Sequence, residues 1–291
     1  SSDVCSSDLN DGLVFANDGD FGYGQFLLDE ASLDFALEQV GTIDDALLRA
    51  LVLESLWESV REAELDPERY AALAMKQLPA EKDDLTAALL LARLRTVHLR
   101  YLTTARRERA QATIERFFWG EATAGKTTSQ RIAAWRAFTD VARTVEAREH
   151  LKALLDGRER IEGVTLQSRD RFRVIETLIA AGDPEGESRL AAQSAIDASG
   201  EGRRYAFGAA AARPDAAAKR VLFERFLQDP ALQESWIEEA LGALNETDQA
   251  ALTREFLAPA LAALPALKRE RRIFFINNWR SEEHTSELQS H

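Results

Sequence analysis

The sequence predicts an all-α fold: an irregular α-solenoid of paired helices, preceded by a short β-ribbon. Three observations lead there. Apolar residues recur at three- and four-residue spacings along most of the chain, the mark of helices with one buried face. Asp, Ser, Gly and Pro interrupt that pattern about every 10 to 20 residues, at positions where helices start and stop. The interruptions are short, which favours antiparallel neighbours stacked as successive helical hairpins.

The elements follow in order. Residues 1–9 and 280–291 are Ser-rich, lack apolar periodicity, and each resembles a reading frame of a sequencing-library adapter, so both are set aside as non-native tails. Cys5, His284 and His291 leave with them, as do five acids and one base, which moves the net charge from −13 to −9. Segment 10–29 reads as strand, turn, strand, with apolar runs at 13–15 and 25–28 around a turn-rich centre. A two-stranded ribbon is marginal in water, so it is expected to be the remnant of a preceding β-sandwich whose other strands lie outside this chain.

Residues 30–279 are expected to form one helical domain. Within 43–60, Leu47, Ala50, Leu51, Leu56, Trp57 and Val60 fall at helical spacings. Asp66 and Pro67 open the next helix, which runs to about residue 78; Pro in the first turn loses no hydrogen bond there. Further helices are expected at 83–102, 105–119, 129–143, 147–155, 168–181, 185–199, 202–212, 215–227, 231–244, 248–264 and 268–279. No exact period holds among them, so HEAT- or armadillo-like pairing would be structural and not sequence-exact. A compact helical bundle is the alternative.

Composition excludes several classes. An acidic balance lacks the Lys and Arg surplus that displaces counterions from phosphates, so no nucleic-acid partner is expected. With Cys5 set aside no disulfide can form, and stability must come from a packed core. No apolar run approaches the roughly 18 to 20 residues of a membrane span, so none is expected. The expected location is cytoplasmic.

Few residues carry chemistry. A catalytic zinc needs about three converging protein ligands, and only His98 and His150 remain. His98, between Val97 and Leu99, reads as a structural histidine on an apolar face, and His150 as a solvent-facing one. Trp57, Trp119, Trp135, Trp236 and Trp279 read as core. The phosphate-loop echo at 120–126 follows a helix where that loop needs a strand. Asp44, Asp45, Asp83 and Asp84 fit first turns of helices. The basic cluster Arg106, Arg107 and Arg109 reads as a solvated face. Arg203, Arg204 and Tyr205 stand apart, because two cations at a helix start oppose the helix dipole. They are the candidate substrate-binding residues; the bland reading is an internal ion pair with Asp197 or Glu201. No catalytic residue, metal ligand or cofactor is expected in this chain.

The ribbon also carries a resemblance. Asn17, then Gly22 and Tyr23, then Phe26, Leu27, Leu28 and Asp29 resemble the N...GYY.V.YD pattern at which members of the aminopeptidase N family of zinc metallopeptidases enter their helical C-terminal domain. The stretches at 48–65, 163–193, 201–219 and 271–279 follow in an order similar to that domain. The resemblance implies a helical domain that closes over the active site of a catalytic domain absent here. It also implies zinc held in that missing domain by an HExxH pair and a later Glu, with peptide substrate and the catalytic domain as partners. Neither that motif nor a GAMEN-like loop occurs in this chain. No hydrolysis by the chain alone is expected. The rival reading is a freestanding helical-repeat scaffold that binds a protein partner; an independent hydrolase is disfavoured because no nucleophile, base and orienter stand together.

Overall fold

The computed structural model describes residues 12–280, so the tail 1–9 and all of the tail 280–291 except Arg280 lie outside the described residues. Every regular element among the described residues is helical. The chain divides into two compact units, one ending at Val141 and one starting at Ala142.

The first unit holds α1 (Glu30–Gln39), α2 (Ala46–Arg61), α3 (Pro67–Gln77), α4 (Asp84–Thr96), α5 (Thr104–Ala124) and α6 (Thr128–Val141). Their starts are written in the sequence. Asp29, Asp45, Asp66 and Asp83 each accept a hydrogen bond from a first-turn backbone N–H, as at Leu48 N (3.0 Å) and Thr86 N (2.7 Å), which satisfies donors that have no partner inside the helix. The expected acids at 44–45 and 83–84 are thus one N-cap and one neighbour in each pair. Helix α1 precedes the first helix placed from the sequence, and only Ser32, Phe35 and Ala36 of it are buried. The core gathers Leu53, Leu56 and Trp57 of α2, Tyr70 of α3, Leu90 and Leu94 of α4, Phe118 of α5 and Phe138 of α6. Trp57 lies 5.5 Å from Tyr70 and 5.4 Å from Tyr101 by ring centroids.

The second unit holds α7 (Val145–Leu155), α8 (Ser168–Ala180), α9 (Gly186–Ile196), α10 (Gly200–Ala211), α11 (Ala216–Gln228), α12 (Glu234–Leu244), the short α13 (Ala250–Thr253), α14 (Leu257–Glu270) and α15 (Ile273–Arg280). Helix α10 packs against both α8 and α12, so alternate helices are neighbours, and α4 and α6 do the same in the first unit. Phe172, Ile175, Phe226, Ile237 and Phe275 fill this core.

Two expectations about the elements need correction. The segment 13–29 forms no strand. Its polar backbone groups are taken by side chains instead: Val14 N donates to Ser32 Oγ (2.9 Å) and Ser55 Oγ donates to Phe26 O. The Asn17 amide plays the part of a strand partner, accepting from Gly22 N (2.8 Å) and donating to Gly22 O (3.3 Å). With one side chain closing the turn, the two arms have no ladder to form. Second, the helix expected to end at 264 continues through Pro265 to Glu270. Proline removes the hydrogen bond to the carbonyl four residues back, that of Leu261, which sits on an exposed stretch where water can serve it.

The tryptophans sort as core: Trp57, Trp135 and Trp279 are buried, while Trp119 and Trp236 are half-buried against Phe138 (5.0 Å) and Phe207 (5.3 Å). The basic cluster in α5 is not simply a solvated face. Arg107 is buried and donates to Leu99 O (3.1 Å), and Arg106 pairs with Asp66 (2.9 Å). The run Thr247–Glu270 is long and apolar enough, by length and composition alone, to cross a membrane; among the described residues it is the one that passes that test.

Candidate functional site

The start of α10 places the candidate residues. Ser199 caps it by accepting from Gly202 N (3.0 Å), and the first turn runs tight against Asp197: a Cβ on Gly202 would meet Asp197 O at 2.3 Å. Asp197 itself is held by the Ser168 hydroxyl of α8 and by Ser199 N (3.1 Å), which draw its carboxyl below the usual range. The first turn of α10 is therefore tied to the first turn of α8.

Arg203 is exposed and folds back to donate to Ala198 O (2.6 Å), which lets a cation tolerate the positive end of a helix. Arg204 turns toward α12, 3.4 Å from Glu239 and 3.9 Å from Glu201. Its guanidinium also sits 5.1 Å from the centre of the Tyr205 ring, which in turn is 6.1 Å from Phe172 of α8. Arg204 and Tyr205 thus come together across α8, α10 and α12, while Arg203 points elsewhere. Of the two expected acidic partners, Glu201 is near Arg204 and Asp197 is engaged otherwise.

Glu239 was missed from the sequence, although a signal existed. Gly208 lies one turn beyond Arg204, and a Cβ there would meet Glu239 Cγ at 2.9 Å and Glu239 O at 3.0 Å. A glycine inside a helix marks such a close approach, and here it brings the carboxylate of α12 beside Arg204. The Arg204–Glu239 separation is longer than a charge-assisted hydrogen bond, and the Arg204 Nε has no hydrogen-bond partner among the described residues.

Between α10 and α11 lies a groove of about 450 Å³, lined by Phe207, Ala210, Ala217, Val221 and Leu222 with Arg213 and Arg225 at its rim. The alanines on both helices leave this space, because side chains that end at Cβ cannot fill it. Beneath it Lys219 is buried, and its ammonium donates to Ala211 O (3.2 Å), Ala243 O (3.3 Å) and Leu244 O (2.6 Å), closing the C-terminal ends of α10 and α12. Burial pushes that ammonium down to about 8, against the opposing pull of Glu246.

His98 and His150, the histidines among the described residues, are each held by a local partner. His98 is buried in the π-helical turn Val97–Tyr101, with Nε2 3.0 Å from Gln111 Oε1. Gln111 donates its amide N–H groups to Glu115 (2.7 Å) and to Val141 O (2.6 Å), so its oxygen faces the histidine and Nε2 carries the proton. His150 is half-buried, not solvent-facing as expected, with Nδ1 2.9 Å from Glu159. His98 meets the Gln111 amide and His150 the Glu159 carboxylate, each a hydrogen-bonding role of its own. Among the described residues no three His, Cys, Asp or Glu side chains are grouped to hold a metal.

Comparison with known proteins bears on this arrangement. Residues 13–284 match the family model of the ERAP1-like C-terminal domain. The chain belongs to that family. It is similar to aminopeptidase N of Streptomyces lividans, 34% identical over 252 residues, a match that covers 84% of this chain and 28% of that relative. The helical residues described above therefore correspond to the C-terminal domain of the aminopeptidase N family, and the chain spans well under two thirds of that relative's length.

Proposed function

We propose that this chain serves as the non-catalytic helical domain of a zinc aminopeptidase, docking over a separate catalytic domain and walling in the peptide. The reading is carried by one observation: the match to an aminopeptidase N takes in most of this chain but 28% of the relative. Neighbouring alternate helices support an α-solenoid arrangement, and the exposed Phe21 and Tyr23 support a join to a preceding β-sandwich that would cover them. Arg204 and Tyr205 are the groups that would meet the peptide, the guanidinium receiving a carboxylate and the ring its apolar part. Zinc, in the catalytic domain, would supply Lewis-acid chemistry; the residues here enclose substrate and exclude water.

The test is reconstitution. The full chain is mixed with a separately expressed catalytic part of an aminopeptidase N, and hydrolysis of an aminoacyl-fluorogenic substrate is followed, with the chain alone as control. Restored hydrolysis supports the reading. A chain that neither binds nor activates the catalytic part moves the scaffold reading ahead, for which the groove between α10 and α11 is the docking feature. Zinc-dependent hydrolysis by the chain alone overturns both.

A further inference from the structure

We propose that Asp18 is a site of spontaneous backbone modification, isomerising to isoaspartate through a cyclic imide formed with Gly19. The step is intramolecular. The Gly19 backbone N attacks the protonated Asp18 carboxyl at Cγ; an N–C bond forms, and the carboxyl hydroxyl leaves with the amide proton as water. Water then adds to the imide carbonyl that was the Asp18 main-chain carbonyl and breaks its bond to the Gly19 N. The chain now runs through Cγ, the former main-chain carbonyl is the free carboxyl, and no atom is gained or lost. Glycine as the following residue suits the step, because it puts no side chain beside the attacking N and restricts its rotation least.

Two Asp–Gly pairs lie wholly among the described residues, 18–19 and 156–157, and the structure treats them oppositely. Asp156 is clamped. Its Oδ1 accepts from Arg189 Nη1 (2.8 Å), and its Oδ2 from Arg189 Nη2 (3.2 Å) and Arg158 Nη2 (3.1 Å). The attacking atom is engaged as well, since Gly157 N donates to Leu154 O (3.2 Å) at the end of α7. Those arginines, Arg189 first, hold the Asp156 carboxyl at about 2, so the protonated form that loses water is scarce. Asp18 and Gly19 are both exposed. Among the described residues no hydrogen bond or ion pair holds the Asp18 carboxyl, whereas Asp20 beside it accepts from Asn17 Nδ2 (3.1 Å). Gly19 N has no counterpart of the Gly157 bond, and the three-residue turn Asp18–Asp20 already bends through left-handed backbone at Gly19 (φ 77°) and Asp20 (φ 58°). Attack depends on carbonyl and N reaching a near-attack geometry, and here little holds them from it. The product lengthens the backbone by one carbon inside the loop that the Asn17 amide closes on Gly22, and so moves the exposed Phe21 and Tyr23.

The test compares each site with itself. The full chain is aged in warm, mildly acidic buffer, folded or in urea, with circular dichroism to confirm each state. Chymotryptic peptides 16–21 and 156–166 are then followed by chromatography and electron-transfer fragmentation, which separate isoaspartate from aspartate at equal mass. Methyl transfer from S-adenosylmethionine by an isoaspartyl methyltransferase is the second readout. Isoaspartate at 18 is expected to form in the folded chain within about threefold of its rate in urea, and at 156 about tenfold or more slower than in urea. Asp18→Glu should abolish the signal in peptide 16–21. Folding that slows position 18 as much as position 156 overturns the proposal, as does a signal in peptide 16–21 that survives Asp18→Glu.

Discussion

Glu81 in the first unit and Lys219 in the second are both sealed from solvent, with opposite charge and unlike surroundings. The Glu81 carboxylate accepts from Arg49 Nε (3.0 Å) and Nη2 (2.9 Å), Gln77 Nε2 (3.3 Å), Lys82 N (2.9 Å) and Asp83 N (3.0 Å). Lys219 meets carbonyl oxygens only. Burial raises the Glu81 carboxyl, but Arg49 and the N–H donors outweigh it and hold the group at about 2. For Lys219 burial wins and the ammonium falls to about 8. A full counter-ion with aligned donors overcomes desolvation; the partial charges at two helix ends do not.

The largest effect should come from Glu81→Ala, which strands the Arg49 guanidinium and two backbone N–H groups. A loss of about 3 to 5 kcal/mol is expected in urea unfolding. Lys219→Met leaves three carbonyls without their donor but also removes a buried charge, so it should cost less, about 2 to 3 kcal/mol by the same measurement. A cost equal to that of Glu81→Ala would erase the distinction between the two ions.

pH separates them further. Between about 2 and 4.5 the unfolded state binds the Glu81 proton and the folded state does not, so stability rises with pH there and is lost as pH falls through 2. Between about 8 and 10.5 the unfolded state likewise holds the Lys219 proton more tightly, so stability again rises with pH. Glu81→Gln should flatten the acid limb alone, and Lys219→Met the alkaline limb alone. Both are read as wild-type minus variant stability, since other groups titrate in each window.

Smaller effects concern the candidate site. Gly208→Ala should destabilise by about 1 to 2 kcal/mol in thermal unfolding, because the added methyl meets the Glu239 backbone, which cannot swing aside. Arg203→Ala should change stability by less than about 0.5 kcal/mol, as its side chain is exposed and bonded only to the adjacent turn.

Most helices were legible because their punctuation is local: an Asp, Thr or Ser at the start, apolar spacing within, a short loop after. What the sequence hid was settled by distant or solvent-side partners. The strand reading of 13–29 took two apolar runs around a turn for paired strands and could not see that the Asn17 amide would close on Gly22. The helix was ended at 264, before Pro265, because sequence does not reveal that Leu261, four residues back, sits on an exposed stretch. At the site, Arg203, Arg204 and Tyr205 stood out by their conflict with the helix dipole, but Glu239 lies 35 residues beyond Arg204 and announced itself only through Gly208. Nothing local marks Lys219 as buried, since the carbonyls that hold it come from the ends of two other elements.

Enclosure of substrate is tested most directly by peptide length. In the reconstituted enzyme, kcat/KM is measured for a series of peptides from two to about twenty residues, with the chain present, absent, or carrying Arg204→Ala. A walled chamber should favour short peptides when the chain is present, reject the longest, and lose affinity for free-carboxylate peptides in the variant. A length profile unchanged by adding the chain would contradict it.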